Sequence, residues 1–205
     1  MTKGSLIKSP IELEQRFQSS FNNLPIQNYL PNDNIGVSKW HLVLTNDKPN
    51  QFQLFQWGFI LFWMEGSAIA NRTINAGVET IFEKPAFKEA AFKRRCLIPF
   101  DGFFEYKQEN GVENQFNISR KDGNIFCVAG IWEQFISSAG KDIPAFLPLT
   151  HEANEIIQPY NSRMPFILQP GYESLWLNSD IPANEIVESI EPFPSELLKV
   201  NRVSR

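Results

Sequence analysis

The chain has 205 residues, a formal net charge of −4, 42% hydrophobic and 20% charged residues, which argues against disorder and fits one globular domain over 1–205. The acidic balance argues against a protein that coats nucleic acid by bulk electrostatics, though it leaves room for a local basic groove. No apolar run reaches the roughly 18 residues of a membrane span, and Met1-Thr2-Lys3-Gly4-Ser5 lacks the apolar stretch of a signal peptide, so a cytoplasmic protein with no membrane partner is expected.

Ser9-Pro10 followed by Glu12 and Glu14 predicts a short helix, with Ser9 as cap, Pro10 in the first turn and acids at the positive end of the dipole. Residues 22–36 are rich in Asn and Pro and read as irregular. Trp40 to Thr45 reads as a strand, and 46–50 as a turn. Gln51 to Trp57 alternates Gln with apolar residues, the period of a half-buried strand, and Gly58 to Trp63 continues as an apolar stretch.

Glu83 to Phe92 suits a helix entered at Pro85, and Cys96 to Pro99 a buried strand that ends at its proline. Gly102–Lys107 and Gln115–Ile118 flank Glu109-Asn110-Gly111, a hairpin signal. Ile125 to Phe135 and Ala145 to Thr150 read as strands. Thr150 is then expected to cap a helix through about Gln158, with His151 in its first turn. Met164 to Leu168 reads as a strand, Tyr172 to Leu177 as a helical turn and Asn184 to Ile190 as a weak helix. The sum is an α+β fold, strand-rich with short peripheral helices.

Cys96 and Cys127 lie in apolar surroundings. Two buried thiols is the expected state, with one disulfide as the alternative. Two Cys and two His without ligand spacing give no support to a metal site, and no cofactor motif or sign of oligomerisation is present, so a cofactor-free monomer is expected.

Three stretches carry more polar chemistry than packing requires: 75–80, 94–106 and 150–154 followed by 161–165. Glu105 sits among Phe103, Phe104 and Tyr106. Burial there would suit it to general acid–base work, whereas an outward-facing edge position would leave it structural. Asn75 is either a turn residue or an amide that orients a reacting carbonyl.

In this order and spacing the stretches resemble the SRAP family (SOS response-associated peptidase, or abasic-site processing proteins). Trp57-Gly58-Phe59-Ile60-Leu61-Phe62-Trp63 is similar to its Trp-Gly-Leu-Ile-Pro-x-Trp, and Asn75 to Thr80 to its Asn-Ala-Arg-Ser-Glu-Thr. Arg95 to Tyr106 is similar to Arg-Cys-Leu-x-Pro-x-Asp-Gly-Phe-Tyr-Glu-Trp, and Thr150-x-Glu152-Ala153-Asn154 with Arg163-Met164-Pro165 completes the set. The resemblance implies a barrel-like mixed sheet with a positive groove. It implies binding to single-stranded DNA at abasic sites, a covalent crosslink through an N-terminal Cys, and autoproteolytic peptidase activity. In that chemistry the Cys amine attacks the ring-opened aldehyde and the thiol closes the imine to a thiazolidine. The resemblance assigns proton transfer to Glu105, the holding of reacting groups to Asn75, a catalytic position to Asn161, and DNA contacts to Arg163, Thr150, Trp57 and Trp63.

The chain departs from this pattern at several positions. It has no Cys near its start, and counting back from Pro10 puts that position near or before Met1. The expectation is either a chain shortened at both ends or a protein that has lost the Cys and binds single strands non-covalently. Asn161 stands where the family has His, Gly77 where it has Arg, and Leu61 where Pro is usual.

Overall fold

The computed structural model describes residues 1–22, 24, 29–60, 72–136 and 140–203. In chain order they form β1 (Lys3–Leu6), α1 (Pro10–Phe17), β2 (Asn32–Gly36), β3 (Trp40–Thr45), β4 (Lys48–Trp57), β5 (Phe59–Ile60), β6 (Arg72–Thr73) and β7 (Ala76–Gly77). Then come α2 (Pro85–Lys93), β8 (Arg95–Phe100), β9 (Gly102–Glu109), β10 (Val112–Arg120), β11 (Phe126–Ile136) and β12 (Asp142–Glu152). The last are β13 (Arg163–Pro165), β14 (Ile167–Leu168), α3 (Pro170–Leu177), α4 (Ala183–Ser189) and β15 (Leu198–Arg202). None of the helices is long and apolar enough to cross a membrane among the described residues.

Five strands close on themselves in the order β12-β4-β3-β8-β11-β12. All neighbours are antiparallel except β4 and β12, which run parallel. The barrel is mixed and strand-rich, as expected. Each of its five strands contributes one ring to a buried chain of contacts: His41, Trp57, Phe100, Phe126 and Phe146 lie with neighbouring centroids 4.7–6.5 Å apart. The high aromatic content is thus largely core, where such rings bury large apolar areas.

A second, antiparallel sheet has the order β15-β10-β9-β1-β2. β9 and β10 form the expected hairpin, turning at Asn110 (φ 53°) and Gly111 (φ 76°), the pair of left-handed residues that a two-residue turn demands. β1 pairs with β9 through Gly4–Phe103 and Ser5–Gly102. A Cβ on Gly4 would stand 2.5 Å from Phe100 Cε1, so only glycine lets β1 lie this close to the barrel.

Local signals explain most helix starts. Ser9 and Glu12 form a reciprocal capping box on α1: Ser9 N donates to Glu12 Oε2 at 2.9 Å and Glu12 N to Ser9 Oγ at 3.4 Å. Three expectations need correction. Residues 150–152 belong to β12, not to a helix, because β7 and β13 both pair with that end of the strand. His151 is therefore a strand residue opposite Met164. Pro99 does not end its strand; β8 runs on to Phe100, and the Pro99 carbonyl accepts from His41 Nε2 at 2.8 Å. β1 and β2 were not expected at all.

Both cysteines are free and buried, and burial pushes both thiols up from their usual range. They are packing residues, as expected.

Candidate functional site

β12 is the spine of the site. Its end pairs in parallel with β7, which follows Asn75, and in antiparallel with β13, which follows Asn161 and begins at Arg163. From the other sheet, β9 brings Glu105 and β1 brings the first residues of the chain. Four segments distant in sequence therefore converge on one place.

Residue 1 lies at the centre, with Met1 only 4% exposed. Its α-ammonium is 3.4 Å from Glu105 Oε1. Asn75 Nδ2 donates to the Met1 carbonyl at 2.7 Å. Asn161 Nδ2 donates to Glu105 Oε2 at 3.0 Å, and Asn161 Oδ1 accepts from Arg163 N at 3.0 Å. Glu105 is buried, so the outward-facing alternative is excluded. Among the described residues Asn75 Oδ1 has no hydrogen-bond partner, and Glu105 Oε1 has only the Met1 ammonium beside it.

Arg163 lies at the rim. Its guanidinium donates to Glu79 Oε1 and Oε2 at 2.8 and 2.9 Å, and to the Thr150 carbonyl at 2.6 Å. The Arg163 guanidinium holds the Glu79 carboxyl below the usual range. Burial, with a further push from Arg163, lowers the His151 imidazole.

Asn75, Glu105, Asn161, Arg163 and Thr150 are thus gathered in one region. Two of the expected DNA contacts have other roles. Trp57 is fully buried, and its Nε1 donates to the Ile74 carbonyl at 2.7 Å. It offers no ring face to a base; it fixes the backbone just before Asn75. Thr150 is also buried, and its hydroxyl lies 3.2 Å from Arg163 Nη2, so it braces the arginine from behind. Trp63 and Leu61 lie outside the described residues.

Sequence reasoning did not single out Met1 or Glu79 as site residues. Counting back from Pro10 pointed toward Met1; Glu79 sat unremarked inside the 75–80 stretch. Among the described residues no group of His, Cys, Asp and Glu is placed to hold a metal ion.

Chemically, the arrangement can hold the backbone of residue 1 at both its nitrogen and its carbonyl. It sets a carboxylate beside that nitrogen to take or return a proton. Among the described residues no thiol is placed there, and Met1 carries a thioether, which has no proton to lose.

The model of the SOS response associated peptidase (SRAP) family matches residues 2–205. The abasic site processing protein YoaM of Bacillus subtilis is 31% identical over 183 residues, covering 88% of this chain and 81% of that protein. The abasic site processing protein YoqW of the same organism is 30% identical over 184 residues, covering 88% and 82%. A crystal structure of a Bacteroides thetaiotaomicron protein superposes with a TM-score of 0.87 at 26% identity, covering 100% of this chain and 92% of that one. With the whole fold and nearly the whole sequence matched, the chain belongs to the SOS response associated peptidase family.

Proposed function

We propose that this protein processes abasic sites in single-stranded DNA, with the α-amine of residue 1 as the group that meets the lesion. One observation carries the reading: the nitrogen and carbonyl of Met1 are held by Glu105 and Asn75 in a buried setting. An α-amine is the least basic aliphatic amine a protein offers and is nucleophilic near neutral pH. Attack on the ring-opened aldehyde gives a carbinolamine, which loses water to form an imine. Glu105 is the proton carrier for that loss, and Asn161 orients it.

Thiazolidine closure needs a thiol on the attacking residue, and Met1 has none. In the chain that begins at Met1, the covalent product is an imine, which hydrolyses and must be trapped to be seen. An abasic oligonucleotide incubated with cyanoborohydride tests this. A denaturant-resistant adduct on the α-amine is expected; an adduct without reductant would mean that a thiol-bearing residue precedes this chain.

A second reading, non-covalent binding of single strands, is favoured by Asn161. Its amide orients Glu105 but cannot relay a proton near neutral pH. Under this reading the protein gives a salt-sensitive gel shift, and reductant traps nothing.

A further inference from the structure

The pair at the rim of the site has an unusual setting. Arg163 meets Glu79 through two parallel hydrogen bonds of 2.8 and 2.9 Å, the geometry by which a guanidinium takes either a carboxylate or a phosphate. Both side chains are open to solvent, at 38% and 48%.

The two partners are anchored unequally. Arg163 is fixed from behind by the buried Thr150, whose carbonyl and hydroxyl it reaches at 2.6 and 3.2 Å. The Glu79 carboxylate takes its hydrogen bonds from Arg163 and its own backbone among the described residues, with His151 near enough to add a weaker electrostatic pull. Bidentate geometry puts this pair at the stronger end of exposed ion pairs, but both partners are open to solvent and a phosphate offers the guanidinium the same geometry, so the carboxylate is exchangeable.

Gly77 supplies an independent observation. A Cβ there would stand 2.8 Å from Glu79 Oε2 and 3.1 Å from Arg163 Nη2. One carboxylate oxygen therefore lies in the space that a side chain at residue 77 would fill.

We propose that Glu79 is an internal stand-in for a phosphodiester at Arg163, and so sets how tightly the site holds the backbone of a single strand. The carboxylate occupies the guanidinium in the free protein, and a strand phosphate must displace it. This rests on the single-stranded DNA reading above.

The test is binding of a short oligothymidylate, without any abasic site, to the full chain and to E79Q and E79A across a salt series. Thermal melting verifies that each variant is folded. Removing the competing charge is expected to tighten binding about three- to tenfold at low salt and to steepen the log–log salt slope by about 0.7, the share of one phosphate on a single strand. Binding by the parent chain with variants unchanged or weaker would overturn this inference alone, since Glu79 would then be orienting Arg163. No binding by parent or variants would overturn it together with the single-strand reading.

Discussion

Glu105 joins the two halves of the site: one oxygen faces the Met1 nitrogen and the other accepts from Asn161. Glu105→Gln keeps the shape and the Asn161 contact but removes the proton carrier. The rate of reductant-trapped adduct formation is expected to fall by about 10²-fold, with oligothymidylate affinity little changed. A loss of affinity instead would make Glu105 a binding residue. Asn161→His would place a group with an ordinary value near 6.5 in reach of Glu105. The trapping rate is then expected to acquire a pH dependence around that value that the parent lacks. Glu105 was legible from its place in an apolar strand, where a carboxylate costs free energy unless it is partnered, whereas Asn161 was legible only through the resemblance to the family. The partner they hold was less legible, since a first residue carries no pattern of its own. Trp57 shows the opposite failing: a Trp beside a polar motif invites a stacking role, and only its burial reveals that it is core.

Among the elements, α3 and the segment leading to α4 are tied to the barrel by two buried side chains. Trp176 Nε1 donates to the Cys96 and Gly130 carbonyls at 3.1 and 3.3 Å. Arg95 is fully buried and donates to the Ile181 carbonyl at 3.1 Å and to that of Asn178. Arg95→Leu would leave both carbonyls without that donor. It is expected to cost about 3 kcal/mol in denaturant unfolding, while the trapping reaction of the folded fraction is unaffected. A cost near zero would mean that the helices dock by apolar contact alone. Ser9→Ala removes half of the capping box and is expected to cost about 1 kcal/mol by the same measurement. Elements with local signals were the readable ones: the capping box of α1, the Asn110-Gly111 turn, and the β-branched and aromatic run of β3. β2 begins Asn-Asp-Asn, which are poor strand formers. It exists because β1 pairs with it, a contact that no local pattern encodes. The same reason defeats the expected helix after Thr150, since strand partners on both sides outweigh a capping signal.

At the scale of the whole molecule, a mixed barrel filled by rings from every strand carries a sheet that delivers residue 1 to the site. The filling makes the fold sensitive to acid. His41 stacks on Phe100 at 4.7 Å and is fully desolvated, which pushes its imidazole from 6.5 down to about 4 despite the bond to Pro99. The unfolded chain takes up that proton near pH 6.5 and the folded one only near pH 4. Stability is therefore complete above 6.5 and falls as pH drops through this window, by up to about 1.4 kcal/mol per pH unit from this residue. Urea unfolding from pH 7 to pH 4 is expected to show that slope in the parent and a shallower one in His41→Gln. Equal slopes would assign the acid sensitivity elsewhere. From the residues alone the barrel was foreseeable only as strand richness, and its barrel shape came from the family resemblance, because the parallel pairing of β4 with β12 joins strands far apart in sequence. The measurement that bears most directly on the central claim is intact mass and peptide mapping of the protein after incubation with an abasic single strand and cyanoborohydride. The account predicts one strand per chain, attached at the α-amine of the first residue. An adduct on a lysine side chain, or none from a protein that binds the same strand, would contradict it.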